Sequence, residues 1–205
     1  CRAELLGPVS RRESAADRLV PVDGGPPLPV WSSAWYAGAV RHAIVAWKRA
    51  GRGELDREMI RAVVRTTEAV ASLVGAVTSG VALVPAPSRL ARRWSRPTRG
   101  TEALARAAAG TLAGAGLDAV YADVLARLAW SKDQAGKSAR QRQAGREGTT
   151  VVRRVPGRPV LLVDDVLTTG ATLLDAERAL ARAGAATLGA VVLAVSPAAA
   201  KSPGV

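Results

Sequence analysis

Short apolar runs and longer amphipathic stretches alternate along the chain. An uninterrupted apolar run of about four to eight residues is typical of a strand that is buried on both faces of a parallel sheet. Apolar residues spaced three and four positions apart are typical of a helix with one buried face. Strands are predicted at 31–37, 81–84, 119–128, 160–163 and 187–195, and helices at 38–50, 54–77, 101–115 and 173–183. The alternation predicts an α/β fold: a central, mainly parallel sheet with helices on both faces and a site at the carboxyl ends of the strands.

One domain is predicted, spanning residues 31–195. Residues 1–30 are polar and then rich in Pro and Gly, which predicts a tail or linker with no core of its own. Residues 196–205 form a second tail that is rich in Pro and Ala. No apolar run approaches the roughly 20 residues of a membrane span, and no signal-peptide pattern is visible at the N-terminus. We therefore expect a cytoplasmic protein.

The segment around residue 165 combines a strand, a short loop and the start of a helix. Asp164 and Asp165 follow the apolar strand, and the next seven positions hold Thr168, Thr169, Gly170 and Thr172. Exposed N–H groups at a helix start favour a bound anion. The threonines add hydroxyl donors, and the glycine lets the backbone approach closely. This loop fits a phosphate monoester.

The two carboxylates suit a different part of the ligand. They cannot share the phosphate, because like charges repel. Asp164 and Asp165 suit neutral hydroxyls or a cation, such as the 2- and 3-hydroxyls of a ribose, or Mg²⁺ through water. A phosphate next to a diol implies a ribose 5-phosphate. The alternative is an ordinary strand–turn–helix with a threonine N-cap, which rarely carries two adjacent carboxylates at the strand end.

The run VLLVDDVLTTGAT resembles the fingerprint of the type I phosphoribosyltransferases, which bind phosphoribosyl pyrophosphate (PRPP). The resemblance implies that Mg²⁺ is bound together with PRPP, that Asp164 and Asp165 hold the ribose hydroxyls, and that Asp165 acts as a base. The acid pair also supplies the candidate metal ligands. The complete set of residues expected to bind the ribose and its 5-phosphate is Asp164, Asp165, Val166, Leu167, Thr168, Thr169, Gly170, Ala171 and Thr172.

Two further segments fall where the family contacts pyrophosphate. The first is Pro85, Ala86, Pro87, Ser88 and Arg89, where backbone N–H groups, the serine and the arginine are candidate donors and a Pro-rich turn is the alternative. The second is the basic stretch 130–148, where type I enzymes carry a mobile loop that closes over PRPP. Its candidate ligands are Gln134, Lys137 and Arg142, and a disordered basic linker is the alternative.

Other landmarks narrow the resemblance to the ComF family, which has a phosphoribosyltransferase fold and is linked to natural competence and DNA uptake. In chain order they are Tyr36-Ala37-Gly38 with Lys48 and Gly51, Val84-Pro85-Ala86-Pro87, Arg99-Gly100-Thr101-Glu102, and Gln134-Ala135-Gly136-Lys137-Ser138 with Arg142. Departures occur at Ser88, where members usually have Leu, and at residues 101–103, where they usually have Phe-Asn-Gln. Cys1 resembles the last ligand of the family's zinc ribbon, but one Cys cannot form a four-ligand site, and an incidental cysteine is the alternative.

Charge and aromatic content leave two functions open. The first is transfer of the phosphoribosyl group from PRPP to an unnamed acceptor, with release of pyrophosphate. The second is a non-catalytic module that binds PRPP or a nucleotide and engages single-stranded DNA or competence proteins, because a net charge of +12 suits polyanionic partners. Type I enzymes often grip the acceptor base with an aromatic residue of a hood segment, which the C-terminal tail lacks. Trp31, Trp35 and Tyr36 are candidate substitutes.

Composition narrows the remaining chemistry. The chain has one Cys and one His, which gives little support to Ser-His-Asp, Cys-His or His-rich metal mechanisms. His42 is predicted at the surface, and Trp47 and Met59 in the core. Many relatives of the fold are dimers, so a homodimer is one expectation, and the oligomeric state stays open.

Overall fold

The computed structural model describes residues 2–16, 19, 26–50, 53–87, 99–127 and 149–197. Five α-helices and nine strands lie in this part of the chain. In chain order they are α1 (Arg2–Leu5), β1 (Ser10–Arg11), β2 (Val30–Ser32), β3 (Ala34–Trp35), α2 (Gly38–Ala50), α3 (Gly53–Val77), β4 (Gly80–Pro85), α4 (Arg99–Gly114), β5 (Asp118–Tyr121), β6 (Leu125–Arg127), β7 (Thr150–Val152), β8 (Val160–Leu167), α5 (Ala171–Arg182) and β9 (Thr187–Val195).

The main sheet has the order β1-β2-β9-β8-β4-β5, and β3 also pairs with β9. All of its pairs are parallel except β1 with β2. Strands β6 and β7 form a separate antiparallel hairpin. Because every parallel neighbour in the main sheet points the same way, the carboxyl ends of β4, β8 and β9 meet at one edge. The predicted α/β fold is confirmed.

Helices cover both faces of the main sheet. On one face, α2, α3 and α4 pack against Leu161 and Val163 of β8. On the other face, α5 packs against Val160 and Leu162. Alternate side chains of one central strand therefore enter two separate apolar clusters, which explains its uninterrupted apolar sequence. The predicted core positions Trp47 and Met59 are buried, and the predicted surface residue His42 is exposed.

Described parts of segment 1–30 pack onto these two clusters. Leu5 lies in the cluster of α3 and α4, whereas Ala16, Leu19 and Leu28 lie in the cluster of α5. Strand β1 extends the main sheet through its antiparallel pairing with β2. The described part of the segment therefore shares the core of the domain and is not a free tail. The domain limits of 31 and 195 stay a prediction.

Three predicted strands differ from the observed ones. The predicted strand 119–128 is two strands: the chain leaves the main sheet after Tyr121, and β6 joins the hairpin. The predicted strand 31–37 is β2 and β3, interrupted at Ser33, whose hydroxyl donates to the carbonyl oxygen of Leu5 at 2.8 Å. Strand β8 continues past the acid pair to Leu167, because β9 supplies backbone partners along this whole stretch.

Candidate active site

The predicted phosphate loop lies between β8 and α5. Val166 and Leu167, predicted in the loop, are the last residues of β8, and α5 begins at Ala171, two positions earlier than predicted. Thr168 and Thr169 are exposed. Gly170 is the N-cap of α5 and has no side chain to cap the helix, while the Ala171 N–H donates to Thr169 Oγ1 at 3.4 Å. The loop therefore presents the helix N-terminus and two threonines at the carboxyl edge of the sheet, as an anion site requires.

Gly170 is also the point where segment 1–30 closes over the loop. Its φ of +78° lies in the left-handed region, which disfavours any residue with a side chain. A Cβ at this position would lie 2.6 Å from Leu19 Cγ and 3.3 Å from Ala16 Cβ. Leu19 and Ala16 are both buried. Only glycine fits between the phosphate loop and this apolar cover.

The two carboxyl groups of the acid pair have different surroundings. The Oδ1 atom of Asp164 accepts a hydrogen bond from the Asp165 N–H at 2.8 Å. Burial, and next the charge of Asp165, raise the pKa of Asp164 to about 8. The Oδ2 atom of Asp165 instead lies 2.7 Å from the Nζ atom of Lys48. At neutral pH the pair therefore offers one carboxyl group that can donate a hydrogen bond and one ion-paired carboxylate that accepts.

Lys48 comes from α2, far from the acid pair in sequence. Its neighbour Trp47 is fixed from two sides. The indole Nε1 donates to Asp56 Oδ1 at 2.6 Å. A Cβ at Gly100 would lie 2.6 Å from Trp47 Cη2 and Cζ2, so the ring packs directly on that backbone. Sequence reasoning noted Lys48 and Gly100 only as landmarks of the family resemblance and did not assign them to the site.

The predicted pyrophosphate loop begins beside the acid pair. Pro85 pairs with Val163, and the Ala86 N–H donates to the Val163 carbonyl oxygen at 2.8 Å. Proline has no N–H, so the stretch Pro85–Pro87 retains no free backbone donor for an anion. Donors on this side have to come from other groups. The remaining candidates Ser88, Arg89, Gln134, Lys137 and Arg142 lie outside the described residues.

The family comparison agrees with this geometry. The model of the phosphoribosyl transferase domain family matches residues 97–203, more than half of the 205-residue chain. The chain belongs to the phosphoribosyl transferase domain family. No curated protein matches the chain. The matched stretch contains the acid pair and the phosphate loop, whereas Lys48, Leu19 and Pro85–Pro87 precede it.

Arg127 is a cation of this phosphoribosyl transferase domain that sequence reasoning missed. It is the last residue of β6. Its Nη1 group donates to the Pro87 carbonyl oxygen at 3.4 Å, and its Nη2 group donates to Thr149 Oγ1 at 3.0 Å. Its charge also acts on Asp164 and lowers the pKa of that carboxyl group, against the larger effect of burial. Placed within a predicted strand, Arg127 carried no sequence signal of its own.

Among the three aromatic candidates for a hood in this family member, Trp35 is the exposed one. It pairs with Val195 at the carboxyl end of β9, and Val195 pairs on its other side with Leu167, directly before the phosphate loop. Its side chain is 42% exposed, and the Arg12 guanidinium lies 4.1 Å from the ring centroid. Trp31 packs instead against Gly189, where a Cβ would lie 2.5 Å from the ring. Tyr36 is partly buried against the core.

The donor set limits how a metal ion could be held. Within the described ranges, no group of three or more His, Cys, Asp and Glu side chains could hold one. Two adjacent carboxyl groups beside a phosphate loop nevertheless fit Mg²⁺, which commonly binds one or two carboxylates together with substrate phosphates and water. None of the helices in the described part of the chain is long and apolar enough to cross a membrane.

Proposed function

We propose that this chain is a ComF-type phosphoribosyltransferase that binds PRPP with Mg²⁺ and transfers the phosphoribosyl group to an acceptor, releasing pyrophosphate. The observation that carries the proposal is the acid pair. Burial raises the pKa of the Asp164 carboxyl group to about 8, Asp165 is ion-paired with Lys48, and both stand directly before the glycine-capped start of α5. Phosphoribosyl transfer and PRPP binding are the activities of the matched family, and the acid pair and loop lie inside the matched stretch.

The 5-phosphate binds at the start of α5 in this proposal. The first N–H groups of the helix and the hydroxyls of Thr168, Thr169 and Thr172 donate to its oxygens, and the helix dipole favours its charge. The ribose hydroxyls then reach the acid pair. Asp164 donates to one hydroxyl oxygen, and Asp165 accepts from the other hydroxyl. Asp165 thereby exchanges its contact with Lys48 for one with the sugar.

Bond breaking at carbon 1 needs charge stabilisation on two sides. The bond between carbon 1 and the diphosphate oxygen breaks, and pyrophosphate leaves with the electron pair. The acceptor atom donates its own electron pair to form the new bond to carbon 1, and the proton that it loses passes to pyrophosphate or water. A carboxylate near the sugar stabilises the positive charge that develops on the ring, and Arg127 stabilises the negative charge on the leaving group. Asp165, whose carboxylate is ion-paired with Lys48, would hold Mg²⁺ through water, and the ion would supply further positive charge to stabilise the leaving group.

The acceptor binds beside Trp35 in this proposal. The exposed indole stands at the same edge of the sheet as the phosphate loop, and a flat heterocyclic base can stack on such a ring. The test is release of pyrophosphate from Mg²⁺–PRPP with a panel of heterocyclic bases, comparing the native chain with Trp35→Ala. An active base whose KM rises in the variant supports the proposal. If no base in the panel causes release of pyrophosphate, the proposed transfer reaction is contradicted.

The second candidate is a non-catalytic PRPP- and single-stranded-DNA-binding module in DNA uptake. The stack of Arg12 on the exposed Trp35 favours it, together with the net charge of +12, because cations and aromatic rings bind single strands through phosphates and bases. The discriminating measurement is DNA affinity as a function of salt. A steep loss of affinity with salt, together with PRPP binding and no turnover, favours this module. A cytoplasmic location and a homodimer belong to either proposal.

A further inference from the structure

A series of hydrogen bonds joins α5 to the loop that follows β4. It starts at Asp175, on the helix whose N-terminus forms the phosphate loop, with a side chain that is only 5% exposed. The Oδ2 atom of Asp175 accepts from the Thr150 N–H at 3.0 Å, from Thr150 Oγ1 at 2.6 Å and from Thr149 Oγ1 at 3.1 Å. Thr149 Oγ1 in turn accepts from Arg127, which also donates to Pro87.

The buried carboxylate determines the direction of these bonds. A threonine hydroxyl has one hydrogen to donate and two lone pairs. Because Thr149 donates its hydrogen to Asp175, it presents a lone pair to the Arg127 guanidinium. The guanidinium is planar, so bonds from two of its nitrogens to Thr149 and to Pro87 fix the orientation of the whole group.

The fixed guanidinium lies at the carboxyl edge of the sheet, next to the stretch that follows β4. Pro87 follows β4, and β4 is the neighbour of β8 on the opposite side from β9. A ribose that places its 5-phosphate at the start of α5 and its hydroxyls at the acid pair has its diphosphate still to be bound. The stretch Pro85–Pro87 retains no free N–H group for it, which leaves Arg127 as the cation held in place on this side by described residues.

We propose that Asp175 and Thr149 are positioning residues that hold the Arg127 guanidinium for the diphosphate of PRPP. This inference rests on the proposed function and assigns to α5 a second task in the same site. The N-terminus of the helix binds the 5-phosphate, and Asp175 in its second turn orients, through Thr149, the cation that binds the diphosphate.

Two neighbouring threonines provide a matched test. Thr149→Val removes the hydroxyl that connects Asp175 to Arg127 and keeps the shape of the side chain. Thr150→Val removes the shorter hydrogen bond to the same carboxylate, while Thr150 makes no hydrogen bond with Arg127 among the contacts described. We expect Thr149→Val to weaken PRPP binding about tenfold, as for loss of a hydrogen bond to a charged group, and to change ribose 5-phosphate binding by less than about twofold. Thr149→Ser keeps the hydroxyl and should restore the affinity for PRPP.

Calorimetry of PRPP and ribose 5-phosphate, each with Mg²⁺, separates the outcomes. A selective loss of PRPP affinity in Thr149→Val but not in Thr150→Val or Thr149→Ser supports the inference. Equal losses for both ligands, or equal losses in both valine variants, show a merely structural role and overturn it. If the native chain binds both ligands and Thr149→Val binds them with unchanged affinity, the inference is overturned but the proposed function is not. A native chain that binds neither ligand overturns the proposed function as well.

Discussion

The stretch from β8 to α5 and the N-terminal part of the chain contribute to the same site in different ways. In the first, the acid pair, the threonines and Gly170 follow one another within one strand–loop–helix unit. In the second, Leu19, Trp35 and Lys48 lie apart in sequence, and each reaches the candidate site through a different contact: Leu19 with Gly170, Trp35 with β9 and Lys48 with Asp165. The proposed binding groups of the candidate site are therefore local in sequence, whereas the residues that cover it and the partner of Asp165 are distant in sequence.

The difference shows what each region requires. The local unit depends on backbone geometry: a strand end, a left-handed glycine and a helix start. The distant residues depend on apolar burial, because Leu19 covers the loop from within the α5 cluster and Lys48 follows a buried tryptophan. Changes in either region test whether the two parts act as one site.

The largest expected effect is at the contact between the two regions. Leu19→Ala removes a fully buried side chain and should lower the free energy of unfolding by about 2–5 kcal/mol. Gly170→Ala places a Cβ against Leu19 at a positive φ and should cost about 2–4 kcal/mol. In the double variant the smaller residue relieves the clash, so denaturant unfolding should show a combined loss that is smaller than the sum. Strict additivity would show that the cover and the loop are not coupled.

A second comparison uses two glycines of α4. Gly100→Ala directs a methyl group into the Trp47 ring and should destabilise the fold by about 1–3 kcal/mol, with a change in Trp47 fluorescence. Gly110 is the matched control, because a Cβ there meets no atom within 4 Å. Gly110→Ala should stabilise the helix by about 0.5–1 kcal/mol. Equal stability of the two variants in thermal unfolding would contradict the packing described for Trp47.

The acid pair should make stability depend on pH. The pKa of the Asp164 carboxyl group is 3.8 ordinarily and about 8 in the fold. Between these two pH values the native state therefore retains a proton that the unfolded chain releases. The free energy of unfolding should therefore fall as pH rises through this range, by at most about 1.4 kcal/mol per pH unit. Asp164→Asn stays neutral and should remove this slope. If the stability of the native chain instead rises between pH 5 and pH 8, and Asp164→Asn abolishes that rise, the pKa of Asp164 is lowered by folding and not raised.

The smallest expected effect on stability is at the ion pair between the two regions. Lys48→Met removes the partner of Asp165, and since the lysine is 35% exposed the loss should be only about 0.2–1 kcal/mol. Its charge lowers the pKa of Asp164, so in the variant Asp164 should titrate at higher pH, measured by carboxyl NMR. Arg49→Met removes the neighbouring exposed charge and serves as the control. An equal shift of the Asp164 pKa in both variants would show that Lys48 acts only through its contribution to the overall charge, and not through its contact with the acid pair.

Local patterns predicted most of the fold. Helix Gly38–Ala50 and strand Thr187–Val195 have the predicted bounds, because their periodicity is strong and glycines or tails limit them. The predicted strand 119–128 could not be resolved into two, since strand propensity does not say which sheet a residue joins. The sequence pattern predicts the end of β8 too early for a related reason. Its polar acid pair resembles the end of a strand, but backbone pairing with β9 carries the strand on to Leu167.

The site was predictable only where it is contiguous. The acid pair and the phosphate loop lie together as expected, and the motif that carries them is inside the matched family stretch. Lys48, Leu19 and Arg127 were not assigned to the site, because each enters it through packing between elements far apart in sequence. Contact between distant segments also limits the predicted role of Pro85–Pro87 in binding pyrophosphate, because the Ala86 N–H donates to the carbonyl oxygen of Val163 on the neighbouring strand.

Titration calorimetry of Mg²⁺–PRPP against the native chain and the variant Asp164→Asn/Asp165→Asn tests the central claim most directly. The variant keeps the size of both side chains and removes the carboxyl groups that are proposed to hold the ribose. We expect measurable binding to the native chain and none to the variant, while both unfold cooperatively. Equal binding to both would show that the acid pair does not hold the ribose, and no binding to the folded native chain would contradict the assignment of a PRPP site.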